Sequence, residues 1–187
     1  MKTFIALTFI GILTCAFAKI VTIKQCENPK PMDGFEASKF FSGASDGERT
    51  WYVTHVKNES SASVCQTFTT SQDGQMSIVE YTFKQGKNDI TIRCEAQPEE
   101  EKKLTFTCKN GGKMIFQAIF TVMETDYQDY ALFYRCVTFK TDTSDAKAGD
   151  IADNYLVVRG TAGQHEIPGQ LKTLTDPLKL KNCRKTT

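Results

Sequence analysis

Residues 113–124 read KMIFQAIFTVME, and this stretch decides the fold class. Apolar residues stand at every second position from Met114 to Val122, which is the period of a β-strand with one face toward a core. Several other segments show the same period, and no amphipathic helix of any length interrupts the series. The pattern therefore indicates an all-β chain.

Eight segments rich in Val, Ile, Thr, Phe and Tyr are predicted to be strands. Turn sequences such as Gln72-Asp73-Gly74 separate them. Short helical turns are expected only near the ends, over residues 33–41 and 170–179. Regular strand spacing predicts either a sandwich or an antiparallel barrel. The predicted strands are 50–57, 63–71, 75–84, 89–95, 103–109, 113–124, 130–140 and 154–160.

The first 18 residues have the composition of a secretory signal peptide. Lys2 supplies a positive charge, residues 4–17 are almost continuously apolar, and Ala16 and Ala18 occupy the positions that a signal peptidase reads. The apolar run is too short for a membrane-spanning helix, and no second run follows. We therefore expect a secreted chain with one domain over residues 19–187.

Charge and cysteine content narrow the class of partner. Cleavage would remove Lys2 from the 23 basic residues and Cys15 from the seven cysteines, so the basic residues would then equal the 22 acidic ones. A chain without net charge gives no reason to expect nucleic acid or a membrane surface as a partner. Six remaining cysteines in a secreted chain predict disulfides. No Cys or His pair has the spacing of zinc ligands, so no metal is expected.

Two segments resemble the motifs of a known family. Residues 40–43 read FFSG and residues 50–55 read TWYVTH, which together resemble the first lipocalin motif, where a Gly-x-Trp opens the first strand. Residues 125–131 read TDYQDYA and resemble the second motif, the turn between the sixth and seventh strands. The chain is similar in particular to the salivary lipocalins of blood-feeding triatomine bugs, the triabin, pallidipin and nitrophorin group.

The resemblance implies an eight-stranded antiparallel up-and-down barrel in which Trp51 plugs the closed end. Arg159 is then either the family's arginine that packs on the tryptophan or an ordinary exposed strand end. Residues 44–49 depart from the motif as an insertion before the tryptophan. The barrel-closing residues implied are Gly43, Trp51, Thr125, Asp126, Tyr127 and Arg159. The disulfides implied are Cys26–Cys136 and Cys65–Cys183, which leaves Cys94–Cys108 across one hairpin.

The inner face of each strand follows if the cysteines point outward to reach segments outside the wall. Outward Cys136 places Arg135 inside, and by the same rule outward Cys94 places Arg93 inside. Such arginines need an anion or an internal partner unless they lie at a solvated rim. The candidate ligand-binding residues are Phe68, Tyr81, Phe83, Arg93, Phe116, Phe133 and Arg135.

Features of enzymes and haem proteins are lacking in the sequence. It contains two histidines and no Gly-x-Ser-x-Gly, phosphate-loop or His-Glu-x-x-His motif. The family's haem ligand would fall in the middle strands, and residues 79–92 contain no histidine, so no cofactor is expected. His55 is in phase with Trp51 and is expected at the barrel floor as a core residue. The sequon at Asn58 is a candidate glycosylation site.

Two functions fit such a barrel, and neither is enzymatic. The first is capture, in saliva, of a small host mediator of haemostasis, which would inhibit platelet aggregation. Inward arginines favour an eicosanoid such as thromboxane, or ADP, over an amine. The second is inhibition of a clotting protease through the outer surface, as the resemblance to triabin implies. The acidic residues 99–101 are the candidate docking patch for that function.

Overall fold

The computed structural model describes residues 22–42, 47–59, 65–85, 88–97, 103–143 and 146–183. The predicted signal peptide, Gly43 and the acidic residues 99–101 lie outside the described residues, and Phe83 is described by its backbone alone. Within the described ranges no helix is long and apolar enough to cross a membrane.

The strands form one antiparallel sheet that closes on itself. Each of the eight long strands pairs with the next, and the first strand pairs with both the second and the eighth. The prediction of an eight-stranded barrel is therefore confirmed, and the sandwich alternative is wrong. The strands are β1 (Glu48–Val56), β2 (Thr67–Asp73), β3 (Met76–Gln85), β4 (Asn88–Ala96), β5 (Lys103–Asn110), β6 (Lys113–Thr125), β7 (Tyr130–Phe139), β8 (Ile151–Arg159) and the short β9 (Lys181–Asn182).

Short helices occur near both chain ends, as predicted. Helix α1 (Ala37–Phe41) precedes β1. Helix α2 (Lys172–Thr175) lies between two 3₁₀ turns, Gly169–Leu171 and Asp176–Leu178. Helix α1 and the β6–β7 turn lie at one end of the barrel, the closed end. The β1–β2, β3–β4, β5–β6 and β7–β8 connections lie at the other end, the mouth.

Three disulfides are present, and they are the pairs that the resemblance implies. Cys26–Cys136 and Cys65–Cys183 join residues 110 and 118 positions apart, whereas Cys94–Cys108 joins neighbouring strands. Closing such long loops removes much of the freedom of the unfolded chain. The two long-range bonds tie the N-terminal arm and the C-terminal segment to the barrel.

Strands β7 and β8 are buried on both faces because the terminal segments cover them from outside. One cluster inside the barrel includes Phe133 and Leu156. A second cluster, of Leu132, Val157 and Leu171, lies between the wall and the C-terminal segment. This double coverage explains why both strands contain runs of consecutive buried residues, Ala131–Tyr134 on β7 and Asn154–Val158 on β8, instead of alternating.

Candidate ligand-binding site

Trp51 lies fully buried at the closed end. Its ring stacks on Phe40 of α1 with centroids 5.2 Å apart, and its Nε1 donates to Thr70 Oγ1 at 3.2 Å. The Thr70 hydroxyl lies 3.5 Å from the carbonyl oxygen of Phe40, to which it donates. Helix α1 therefore covers the closed end of the barrel as a lid, and this ring stack and this hydroxyl are two of the contacts that hold it.

The cation beside the tryptophan is Arg49 rather than Arg159. The Arg49 guanidinium carbon lies 5.6 Å from the centroid of the Trp51 ring, and its Nη1 donates to the carbonyl of Gln128. Arg159 instead donates to the backbone carbonyl of Asp129 in the β6–β7 turn at 3.2 Å and to that of Glu166 after β8 at 3.0 Å. Of the two alternatives for Arg159, the one in which it packs on the tryptophan is therefore wrong. Strand β1 begins at Glu48, so Arg49 belongs to the strand and shares a face with Trp51 two residues on.

The second motif residues build the β6–β7 turn at the closed end. Asp126 Oδ1 accepts the backbone N–H groups of residues 128–130 at 2.8–3.0 Å. Tyr127 adopts a positive φ of 66°, and its N–H donates to Thr125 Oγ1. The Tyr127 hydroxyl accepts the N–H of Glu36, one residue before α1. The turn therefore positions the lid helix against the floor.

A continuous set of aromatic rings extends from this lid into the barrel. Successive ring centroids lie 4.8–5.9 Å apart, the range of favourable aromatic pairs. Phe68 and Phe133, which were predicted to bind a ligand, therefore belong to a packed layer of side chains. This layer, here called the aromatic floor, consists of Trp51, Phe40, Phe41, Phe106, Phe120, Phe133 and Phe68.

Arg135 and Tyr81 lie directly above the aromatic floor. Arg135 follows Phe133 by two residues toward the mouth, so it points inward as predicted. Its Nη1 donates to Tyr81 Oη at 3.4 Å, and its guanidinium carbon lies 5.8 Å from the Tyr81 ring centroid. Tyr81 is 9% exposed and Arg135 is half-buried. Among the described residues no carboxylate forms an ion pair with Arg135.

An apolar rim continues from this pair to the mouth. Val137 and Phe139 follow Arg135 on β7, and the Phe139 ring lies 6.1 Å from that of Phe116 on β6. Phe116 packs against the inner cluster, as predicted. Phe83 pairs through its backbone with Ile90 in the upper part of the wall. The interior therefore has three levels: aromatic floor, polar pair and apolar rim.

Arg93 lies outside the barrel, so its prediction as a cavity residue is wrong. Its Nη1 is 3.1 Å from Glu80 Oε1 and its Nε is 2.9 Å from Glu95 Oε1. Hydrogen bonds from Arg93 and then Lys109 hold the pKa of Glu95 below its usual value. The error came from assuming that Cys94 points outward, whereas it is fully buried in the inner cluster.

His55 also faces outward, contrary to the expectation that it lies at the floor. The β1–β8 pairing shifts by one residue between Val53 and His55, and this bulge reverses the side of the strand that follows. His55 pairs with Val157 beneath the C-terminal segment and is 7% exposed. Its Nδ1 lies 3.1 Å from Thr54 Oγ1. Burial lowers the pKa of His55, and nearby His165 lowers it further.

Three predictions about attached groups, a glycan on Asn58, no metal and no haem, stay predictions. Asn58 is half-buried, and its Nδ2 donates to the carbonyl of Asp153 at 3.4 Å, a bond that a glycan would replace. Over the described ranges no three His, Cys, Asp or Glu side chains lie close enough to hold a metal ion. The absence of haem stays a prediction, which the visible absorbance of the purified protein would check.

Comparison with known proteins identifies the family. The family model described as Triabin matches residues 17–174. The chain belongs to the triabin family. Procalin from Hospesneotomae protracta is 40% identical over 183 residues, covering 98% of this chain and 99% of procalin. The resemblance to triatomine salivary lipocalins is confirmed.

Solved structures of lipocalins match this triabin-family barrel. LTBP1 in complex with leukotriene C4 aligns with a TM-score of 0.60 and 25% identity, over 82% of this chain and 88% of LTBP1. The amine-binding protein of Rhodnius prolixus, in its tryptamine complex, aligns with a TM-score of 0.58 and 16% identity over 86% of each chain. The second likeness concerns the fold alone, so the choice between anion and amine depends on the side chains inside the barrel.

Proposed function

We propose that the protein is a secreted salivary binder that captures an amphipathic anion in the upper half of its barrel, and that it is not an enzyme. The observation that supports this most directly is Arg135, a half-buried inward cation. Within the described part of the chain, its side-chain hydrogen bond and its cation–π contact are both with Tyr81. Removing a platelet agonist from solution in this way would inhibit platelet aggregation.

The charge inside the barrel favours an anionic ligand. Removing a cation from water without a counter-ion costs free energy, and Arg135 is half-buried; a ligand carboxylate or phosphate would supply the counter-ion. Such a pair is stronger away from bulk water than at a surface. An amine would need an inward carboxylate, and the acidic neighbours on β3 and β4, Glu80 and Glu95, are paired with Arg93 outside.

The apolar rim favours a ligand with a hydrocarbon part. Val137, Phe139 and Phe116 offer apolar surface next to the Arg135 guanidinium, and burial there contributes about 25 cal/mol per Å². An eicosanoid carries both a carboxylate and a long chain, whereas ADP offers phosphate and a base. LTBP1, which is complexed with leukotriene C4, supports the eicosanoid class.

Calorimetry against a panel of an eicosanoid, ADP and serotonin tests this proposal. Arg135→Met should weaken anion binding by about tenfold or more, since a hydrogen bond to a charged group contributes about 1.5–3 kcal/mol. Arg93→Met is the matched control, because that arginine lies outside the barrel, and it should bind as the wild type does. Tight binding of serotonin with no binding of the anions, or equal effects of the two variants, would contradict the proposal.

Inhibition of a clotting protease through the outer surface is the second candidate. The observation that favours it is the aromatic floor, whose rings already occupy the lower part of the barrel. Under this alternative the protein would slow a purified clotting protease, and Arg135→Met would inhibit as well as the wild type. Capture of a mediator predicts the reverse: loss of platelet inhibition in that variant and no effect on the protease.

A further inference from the structure

The Tyr81 hydroxyl can donate a hydrogen bond for which the described residues supply no acceptor. It accepts from Arg135 Nη1 at 3.4 Å, and a phenol carries one proton of its own. Among the described residues no acceptor lies within hydrogen-bonding distance of that proton. Tyr81 is nevertheless 9% exposed, and buried hydroxyls normally find a partner. An acceptor from outside the protein would complete this hydrogen bond.

Two neighbouring polar side chains inside the barrel, Asn154 and Thr70, already form hydrogen bonds with other residues. Asn154 stands opposite Arg135 on β8, but its Oδ1 accepts the N–H groups of Lys57 and Asn58 and its Nδ2 donates to the Asn58 carbonyl. The Thr70 hydroxyl accepts from Trp51 and donates to the Phe40 carbonyl at the closed end. Tyr81 and Arg135 therefore present donors side by side, with no acceptor of the protein between them in the described part of the chain.

The position of this pair fixes which end of a ligand points inward. Below it, the Phe120 ring contacts both Phe133 and Phe106, so protein side chains occupy that space. Above it, toward the mouth, the wall is apolar from Val137 to Phe139. An acidic head bound at the pair leaves its hydrocarbon chain only the direction of the mouth.

We propose that Tyr81 and Arg135 form a two-donor clamp for a ligand carboxylate, and that the ligand enters head first with its chain along the apolar rim. This rests on the proposed capture of an amphipathic anion and adds the head group, its orientation and the specificity residue. One carboxylate oxygen accepts from the guanidinium and the other from the Tyr81 hydroxyl. An ester, amide or alcohol head lacks the charge and the second equivalent oxygen.

The first test compares tyrosine variants with matched ligands. Tyr81→Phe keeps the ring and removes the hydroxyl, so it should lower the affinity for arachidonate about tenfold, near the effect of one lost hydrogen bond. The affinity for the corresponding alcohol should not change. Tyr52→Phe, on the outer face of β1, is the control and should bind both ligands as the wild type does. Equal loss of acid and alcohol binding in Tyr81→Phe would indicate altered packing and overturn the clamp.

The second test determines the orientation of the ligand. A fatty acid with a fluorophore on its terminal carbon should still bind, because that end lies at the mouth. The same fluorophore attached through an amide at the carboxyl should abolish binding. Equal binding of both conjugates, or binding of the amide alone, would overturn the head-first orientation.

The outcomes separate this inference from the proposed function. If Arg135→Met weakens arachidonate binding while Tyr81→Phe does not, and the amide conjugate binds, anion capture stands and the clamp is wrong. If the wild-type protein binds neither arachidonate nor another amphipathic anion, both are wrong.

Discussion

Replacing Gly160 with alanine would test the packing of the closed end. A Cβ at Gly160 would lie 2.1 Å from the carbonyl oxygen of Gln128, and the Gly160 N–H already donates to Asp129 at 2.8 Å. The Gln128 carbonyl also accepts from Arg49, the cation beside Trp51. Because the clash is with backbone, no side-chain rotation relieves it, and the β6–β7 turn must move away from β8.

We expect Gly160→Ala to lower the free energy of unfolding by about 1–3 kcal/mol, the usual cost of overpacking. In a domain of this size that corresponds to a fall in Tm of about 2–12 °C. Urea unfolding followed by tryptophan fluorescence measures both the stability and the surroundings of Trp51. Gly169→Ala is the control, because its added Cβ meets nothing within 4 Å. If the two variants are equally stable, the close approach at Gly160 does not exist.

Three further changes probe the closed end, the outer wall and the disulfides. Arg49→Met should lower the free energy of unfolding by about 0.5–2 kcal/mol and alter tryptophan emission, whereas Arg159→Met should leave the emission unchanged. The opposite pattern would indicate that Arg159 is the cation beside Trp51. Burial lowers the pKa of His55, so the unfolded chain binds its proton first and stability should fall as the pH drops below 6.5. His55→Gln should lose less stability than the wild type in urea unfolding on acidification, and parallel losses would refute this. Replacing Cys65 and Cys183 with serine opens a 118-residue separation and should cost up to about 5 kcal/mol in urea unfolding; an unchanged midpoint would contradict the loop-entropy argument.

The barrel could be predicted from the sequence because strands such as β6 alternate between apolar and polar residues. Residues 113–124 were predicted as a strand, and β6 spans Lys113–Thr125 with Ala118, Phe120 and Val122 buried. Strand ends were less certain: β2 begins at Thr67 rather than residue 63, and β8 begins at Ile151 rather than residue 154. Strand ends depend on pairing with the neighbouring strand, which alternation within one segment does not specify.

Arg93 shows how one assumption misplaced a site residue. Outward cysteines are required when a disulfide reaches a terminal arm, as at Cys136, but Cys94 and Cys108 are direct cross-strand neighbours and can share either face. The register across the β3–β4 hairpin sets Cys94 opposite inward Val79, and counting from the turn would have placed Arg93 outside.

Arg49 and His55 could not be placed by alternation alone. Arg49 fell in an apparent insertion, and only the pairing of Glu48 and Arg49 with β2 makes them part of the first strand. His55 lies beyond a bulge at Thr54, and threonine is an ordinary strand residue, so nothing in the local sequence signals the extra position.

The packing of the closed end has a consequence for the rate at which any molecule held in this barrel would leave. Phe40 and Trp51 are stacked across the closed end, so the described residues block that end, and a ligand bound above them would leave through the mouth by which it entered. The lifetime of a complex would then depend on the residues around the mouth, which include Phe116 and Phe139. Affinity differences between related binders arise mainly from dissociation rates. Substitutions at the rim are therefore expected to change how long a captured molecule is retained more than how fast it is caught.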